Sequence, residues 1–248
     1  MNIICIIPAR YASTRLPGKP LADVAGKPLV VRVYEQAVKA KIPTEFIVAV
    51  DNKQIYDAVL KAGGKAVMTR SDHLTGTDRL AEAALNYPDA DVIINIQGDE
   101  PLIDPELIDR LGNLFIDDSS LNMATVKTLM LDKEKNEPGN VKVITDQNDF
   151  AIYFSRSLIP YPRNDSGVKI YKHIGIYAYK REFLLKYAKM KPTPLERTES
   201  LEQLRAIENG YKIKVITSDK RFIGVDTPED LAIVNKYYRQ KEGKHDHA

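Results

Sequence analysis

Three cationic side chains follow the first apolar run of the chain. Arg10, Arg15 and Lys19 lie in one short loop among small, hydroxyl-bearing and turn-forming residues. An arginine presents a bidentate fork to a phosphate, and a lysine presents a compact point charge. Three such cations in one loop suit a polyphosphate, although their number alone leaves a solvated basic loop as the alternative.

Two aspartates are candidates for a metal site. Asp99 follows a predicted buried strand, and Asp226 follows the apolar turn 222–225. Magnesium takes one or two protein carboxylates and completes its shell with water and phosphate oxygens. Two carboxylates that face a polyphosphate loop therefore predict a Mg²⁺ site. The competing interpretation is a turn former beside Gly98 and an acid that flanks a helix.

A third group combines aromatic and polar side chains in the second half of the chain. The stretches 153–156 and 173–177 lie on strands that we predict to be adjacent. Together with Glu202 and Gln203 they would line a polar sugar pocket, with Arg156 as the fixed cation for an anionic group. The residues alone favour ordinary sheet packing over this pocket, because tyrosines at every second position usually pack within a sheet.

Strands and helices alternate over the first half of the chain, which sets where these groups lie. The predicted strands are 2–8, 45–50, 65–68 and 91–96. The first predicted helix is 27–40, and the second is capped by Asp51 and has Ala62 on its apolar face. The third is opened by Thr75 and Asp78 and has Leu85 inward, and the fourth is opened by Asp104. This alternation predicts an α/β fold with a doubly wound, mainly parallel sheet. Such sheets bind ligands at the carboxyl ends of their strands, where the cationic loop begins.

The pattern changes after about residue 121. The predicted strands there are 123–127, 141–144, 150–154, 173–179 and 212–216, with helices at 198–209 and after Thr227. Few helices separate these strands, which predicts an embedded, smaller mixed α+β lobe. We therefore expect a single domain over 1–248, with a core of about 1–120 and 211–240 and a lobe of about 121–210.

Composition excludes several classes of protein. The 248 residues carry a net charge of +2, so the chain shows no overall signature of nucleic-acid binding or of attraction to an anionic membrane. No apolar run is long enough for a transmembrane helix, and no signal peptide precedes the first strand. The single cysteine, Cys5, cannot form an internal disulfide. A cytoplasmic protein without nucleic-acid or membrane partners is the expectation.

A series of motifs in fixed order identifies a family. The chain resembles the 3-deoxy-manno-octulosonate cytidylyltransferase (CMP-Kdo synthetase) family from Asn2 to about Tyr238. Related sialic acid enzymes carry Gly-Ser-Lys where this chain has Ala12-Ser13-Thr14-Arg15, which argues against that neighbouring family. The motifs are IPARYASTRLPGKPL, TRSDHLTGTDR, NIQGDEP, YFSR, HIGIYAY, LEQLR and GVDTPED.

The resemblance implies a Rossmann-like nucleotidyltransferase fold and a defined reaction. Family members transfer CMP from CTP to 3-deoxy-D-manno-octulosonate (Kdo) and release diphosphate, which activates Kdo for lipopolysaccharide synthesis. The C2 hydroxyl of the sugar attacks the α-phosphorus in line, with Mg²⁺ as cofactor and no covalent enzyme intermediate. The expected partners are CTP and Kdo, and family members are commonly homodimers.

The resemblance also implies roles for individual residues. The 1–120 and 211–240 parts become a nucleotide-binding core, and 121–210 becomes a sugar-binding and dimerisation lobe. The implied catalytic residues are Arg10, Arg15 and Lys19 on the triphosphate, with Asp99 and Asp226 holding Mg²⁺. The implied nucleotide contacts add Ala9, Thr69, Arg70, Thr75, Gly76 and Thr77, and the implied sugar contacts are Gln97, Arg156, His173, Tyr177, Glu202 and Gln203.

Other functions compete with this interpretation. The same chemistry on 8-amino-Kdo or another acidic sugar would use the same motifs, since these read the shared carboxylate end. A non-catalytic nucleotide-binding regulator would not require all of these cations and carboxylates. A Rossmann oxidoreductase is excluded because no G-x-G-x-x-G follows the first strand. The loop 160–172 is shorter than in several relatives, so the resemblance does not extend to contacts between this loop and the sugar. It does not extend to the tail after Tyr238 either.

Overall fold

The computed structural model describes residues 1–12, 16–164 and 166–242. The chain forms two compact units, Met1–Arg110 with Phe222–Ala248, and Leu111–Arg221. Among the described residues, no helix combines the length and apolar character needed to cross a membrane.

The first unit is built on a parallel sheet. Its strands are β1 (Ile3–Ala9), β4 (Glu45–Val50), β5 (Lys65–Met68) and β6 (Val92–Asn95), and a short hairpin joins β2 (Asp23–Val24) to β3 (Lys27–Pro28). The spatial order of the parallel strands is β6-β1-β4-β5. The apolar residues of β1 are almost wholly buried, as expected of a strand covered on both faces. The strand order reverses between β1 and β6, which is where such sheets open a binding crevice.

Helices follow the strands of this unit. They are α1 (Leu29–Ala37), α2 (Lys53–Lys61), α3 (Gly76–Leu85) and the last helix, Pro228–Glu242. Helix α4 (Pro105–Asp117) begins in the first unit and ends in the second. The predicted capping box of α3 is confirmed, since Thr75 and Asp78 satisfy each other's backbone N–H groups. Thr227 and Asp230 do the same at the start of the last helix.

Several local predictions for the first unit are wrong. Lys27 and Pro28 pair with β2, so α1 begins only at Leu29. Asn52 caps α2, whereas Asp51 bonds elsewhere. Leu85 is 60% exposed because it is the last residue of α3, where the apolar face of the helix no longer packs against the sheet. Ala62, at the end of α2, is exposed for the same reason.

The second unit is a mixed sheet with short helices, as predicted. Its strands are β7 (Met123–Leu129), β8 (Lys142–Thr145), β9 (Ala151–Ser155), β10 (Tyr171–Lys180) and β11 (Ile213–Ser218), and its helices are α5 (Arg181–Tyr187), α6 (Pro194–Glu199) and α7 (Leu204–Glu208). Strand β7 pairs in parallel with β11 and antiparallel with β10. Strand β8 pairs antiparallel with both β9 and β10.

Two predictions for this unit are wrong. Strands β9 and β10 are not adjacent, because β8 pairs with both of them. The predicted helix 198–209 is two helices, because Ser200 adopts a left-handed backbone with φ of 52° and ends α6. The α/β fold class itself is confirmed.

Candidate active site

A cavity of about 390 Å³ opens at the carboxyl ends of β1 and β6 in the first unit. This volume lies in the usual range for small-ligand pockets. Loops distant in sequence contribute to its wall. The predicted site residues that line it are Ala9, Arg10, Lys19, Thr75, Gly76, Gln97, Asp99 and Asp226. Arg15 lies outside the described residues.

Lys19 joins the two predicted metal ligands. Its Nζ donates to Asp99 Oδ2 at 2.7 Å and to Asp226 Oδ1 at 3.0 Å. Partial burial disfavours the charged amine, but the two carboxylates outweigh this and raise the pKa of Lys19. The lysine is therefore an ammonium ion at neutral pH, and it bridges two carboxylates as a cation.

Backbone contacts hold these three side chains in place. Lys19 begins a 3-10 turn, Lys19–Leu21, directly after Gly18, whose φ of 64° is in the left-handed region that favours glycine. The N–H of Val225 donates to the carbonyl of Asp99 at 2.9 Å, which ties the loop after β6 to the turn before the last helix. The two carboxylates are thus positioned relative to each other through the main chain.

Gly98 places the Asp99 loop in close contact with β1. A Cβ atom at residue 98 would lie 2.7 Å from the carbonyl oxygen of Pro8, a distance that real Cβ atoms do not tolerate. We expect Gly98→Ala to shift Asp99 and to lower kcat at least about tenfold, because small displacements of positioned groups are costly. Steady-state kinetics measures this.

A matched variant tests the cause. Gly139→Ala places a Cβ atom in open space and should leave kcat unchanged. Equal kcat in wild type and Gly98→Ala would show that the contact with Pro8 does not position Asp99.

The loop after β5 supplies the remaining predicted nucleotide contacts. Thr69 is buried and donates to the carbonyl of Val50 at 2.9 Å. Arg70 is exposed and pairs with Asp72, and Thr77 is buried in the first turn of α3. These three residues support the loop from outside the cavity wall, whereas Thr75 and Gly76 line it.

Two further polar side chains line the cavity. His73 belongs to the predicted nucleotide stretch 69–77 without having been singled out, and Arg79 was missed. The His73 ring bonds to the carboxylate of Glu82, which also accepts from the N–H of Arg70. Burial raises the pKa of Glu82, but these contacts outweigh it and hold that pKa below its usual value. Arg79 lies four residues before buried Ala83 on α3, so both residues lie on the same face of the helix. An arginine on this apolar face was the sequence signal that could have identified it as a candidate site residue.

The other predicted sugar residues lie in the second unit. His173 Nε2 lies 3.0 Å from Thr125 Oγ1, and its ring packs against Phe154 and Tyr177 with centroids 5.0 and 5.4 Å apart. Burial lowers the pKa of His173 to about 3, so the imidazole is neutral at physiological pH. Burial also raises the pKa of Tyr177. Both rings therefore offer neutral hydrogen-bonding groups.

The guanidinium of Arg156 is held by backbone carbonyls. Its Nε, Nη1 and Nη2 donate to the carbonyls of Glu199, Pro138 and Ser200 at 2.7, 3.1 and 3.3 Å. Because carbonyls fix the guanidinium without neutralising it, its charge can attract an anionic group.

The side chains of Glu202 and Gln203 follow the Ser200 break. Glu202 Oε1 lies 4.0 Å from Arg205 Nη1. Gln203 is buried, and within the described residues its Nε2 has no hydrogen-bond partner. Buried amides are normally satisfied, so this donor is suited to a ligand oxygen.

The neutral, half-buried His173 predicts a specific pH dependence of stability. The folded pKa of about 3 is below the unfolded value of about 6.5, so the unfolded state binds the proton first as pH falls. Stability is lost as pH falls below about 6.5, and this residue contributes a loss of roughly 2 kcal/mol at about pH 5. Urea unfolding of wild type and His173→Gln at these pH values should show a steeper loss in wild type. Parallel pH dependences in the two proteins would contradict the neutral, half-buried imidazole.

Comparison with known proteins identifies the family. A family model described as "Cytidylyltransferase" matches residues 4–213. The 3-deoxy-manno-octulosonate cytidylyltransferase of Fusobacterium nucleatum is 51% identical, over 98% of this chain and 100% of that protein. The enzyme of the same name from Syntrophotalea carbinolica is 48% identical, over 96% of this chain and 99% of that protein.

A solved structure agrees with the sequence matches. CMP:2-keto-3-deoxy-manno-octonic acid synthetase, solved in complex with CTP, is 43% identical and superposes with a TM-score of 0.94, covering 97% of this chain and 100% of that one. These matches confirm the family that the motifs predict. The chain belongs to the 3-deoxy-manno-octulosonate cytidylyltransferase family, and it is a nucleotidyltransferase.

Proposed function

We propose that this chain transfers CMP from CTP to Kdo and releases diphosphate. The C2 hydroxyl oxygen attacks the α-phosphorus, a new P–O bond forms, the bond to diphosphate breaks and the hydroxyl proton is lost. The observation that carries the proposal is the meeting of Lys19, Asp99 and Asp226 in the cavity at the strand-order reversal. Phosphoryl transfer depends on such positioning and charge stabilisation more than on covalent help from the protein.

The triphosphate is assigned to the cationic loop. Arg10 and Lys19 line the cavity, which supports their role, and Arg15 shares it by resemblance. Lys19 would stabilise the charge that builds on the reacting phosphoryl group. The nucleotide is assigned further to Ala9, Thr75 and Gly76 in the cavity wall. Thr69, Arg70 and Thr77 are assigned to it by resemblance alone.

Magnesium is assigned to Asp99 and Asp226. Their oxygens converge on one ammonium group, so the pair already accommodates a cation. No cluster of three or more potential metal ligands exists among the described residues, which suits an ion that completes its shell with water and phosphate. Bound Mg²⁺ would supply charge neutralisation at the reacting phosphate and hydroxyl oxygens.

In the first unit, the residue that the resemblance assigns to the sugar is Gln97, which lines the cavity. In the second unit, the carbonyl-held charge of Arg156 would attract the carboxylate of Kdo. Neutral His173 and the unsatisfied amide of Gln203 suit sugar hydroxyls. Tyr177 and Glu202 complete the assigned set.

The proposal also covers the oligomeric state and the cellular location of the protein. We propose that the chain forms a homodimer, as members of the family it resembles commonly do. Exposed apolar side chains of the second unit support an interface there: Leu129, Ile152, Tyr161 and Val168. The cytoplasm is the proposed location because CTP is supplied there, and the proposed use of the product is lipopolysaccharide synthesis.

Diphosphate release tests the proposed function. Purified protein is incubated with CTP, Mg²⁺ and one acid at a time: Kdo, 8-amino-Kdo or a sialic acid. We expect release with Kdo. Release only with 8-amino-Kdo would keep the chemistry and change the substrate. Silence with all three acids, despite measurable CTP binding, would favour a nucleotide-binding regulator and overturn the proposal.

A further inference from the structure

We propose that Asp51 is a positioning residue of the nucleotide site, which joins the cationic loop to helix α3 through Arg79. This inference rests on the proposed function, because it assigns a role within the same CTP site. Asp51 follows β4 directly, at the carboxyl edge of the sheet.

The carboxylate of Asp51 uses its two oxygens on two different elements. Oδ1 accepts the N–H of Tyr11, the residue after Arg10, at 2.9 Å. Oδ2 accepts Nη2 of Arg79 at 2.9 Å. The side chains of Asp51 and Arg79 are only 8% and 4% exposed, so water screens this pair weakly.

Arg79 carries the effect to the ligand. Arg79 lines the cavity, and its guanidinium also donates through Nη1 to Thr69 Oγ1, which in turn donates to the carbonyl of Val50. A guanidinium has five N–H donors in a rigid fork, so partners on one side fix the direction of the others. Asp51 therefore sets the orientation of a cation in the cavity wall.

Asp51 has no role in capping the neighbouring helix. Asn52 is the N-cap of α2, where its side chain accepts the N–H of Gln54 at 2.8 Å. A substitution at residue 51 consequently leaves this cap intact. The buried ion pair and the bond to Tyr11 are the two contacts that such a substitution would test.

One carboxylate thus holds two parts of the proposed CTP site together. The cationic loop carries Arg10 and Lys19, and α3 begins beside Thr75 and Gly76 in the cavity wall. Replacing this carboxylate by an amide should release the guanidinium of Arg79, while the N–H of Tyr11 keeps an acceptor. The expected consequence is a loss of CTP affinity, with little effect on the sugar.

The first variant is Asp51→Asn. Its amide oxygen can still accept the N–H of Tyr11, but its NH₂ group then faces the donors of Arg79. We expect CTP, titrated calorimetrically without sugar, to bind about tenfold more weakly, because charge-assisted contacts are the strong ones. KM for CTP should rise similarly, and KM for Kdo should change less than about twofold.

A double-mutant cycle tests whether Asp51 acts through Arg79. Arg79→Gln should also weaken CTP binding, and adding Asp51→Asn to Arg79→Gln should cause little further loss. Coupled residues behave non-additively in this way. Additive losses would show that Asp51 does not act through Arg79, and would overturn the proposed route.

A second buried ion pair provides the control. Arg205 and Glu196 in the second unit have side chains 6% and 11% exposed. Glu196→Gln should lower the melting temperature, as loss of a buried partner does, without changing CTP affinity. If Asp51→Asn also lowers only the melting temperature, the Asp51–Arg79 pair is merely structural and the proposal is wrong. Failure of the proposed function would differ, since wild type itself would then release no diphosphate.

Discussion

Asp99→Asn should lower kcat by about a hundredfold or more while the protein remains folded. A bound cation stabilises the transition state by several kcal/mol, and each 1.36 kcal/mol corresponds to a tenfold change in rate. The amide keeps the shape of the side chain but removes its charge. The Asp99 side chain is 28% exposed within the cavity wall, so the substitution perturbs no core packing.

The measurement combines kinetics with metal binding. Turnover is followed with Mg²⁺, and Mn²⁺ binding in the presence of CTP is measured separately as a readout that does not depend on activity. Asp57→Asn removes an exposed partner of Lys53 on α2 and should change neither quantity. Full turnover by Asp99→Asn would show that Asp99 is not part of the proposed Mg²⁺ site.

Lys19→Ala should lower kcat by about two to three orders of magnitude, with a much smaller effect on KM for Kdo. Positioned donors that act on transition-state charge have effects of this size. The loss also leaves Asp99 and Asp226 without the cation that lies 2.7 and 3.0 Å from them.

Lys19→Arg separates charge from shape. The guanidinium restores the positive charge, but it is a planar fork and not a compact ammonium ion. We therefore expect little recovery of kcat. Lys27→Ala removes an exposed lysine that pairs with Glu35 and should leave kcat unchanged. If Lys19→Ala raises only KM for Kdo, Lys19 acts on the sugar and not on the reacting phosphoryl group.

Local patterns in the sequence were sufficient to predict most of the strands and helices. Period-two and continuous apolar runs located the strands, because a buried strand must present apolar side chains whatever its partners are. The capping box of Thr75 and Asp78 located the start of α3 because capping involves residues only three apart. The error at Asp51 arose because Asp51 and Asn52 have similar propensities to cap a helix, and tertiary contacts of Asp51 decide between them. The break at Ser200 is a left-handed backbone conformation at a residue other than glycine, which the residue type does not announce.

The sequence alone determined the α/β class, the family and the residue types available for chemistry, since motif order and periodicity are properties of the chain. Only the tertiary structure decided which of these residues meet. Lys19, Asp99 and Asp226 come together from three distant loops. Asp51 bonds Tyr11 and Arg79 because β1, β4 and α3 place them at one edge of the sheet. Such pairings depend on strand order and on burial, and no spacing along the chain encodes the distance between two side chains.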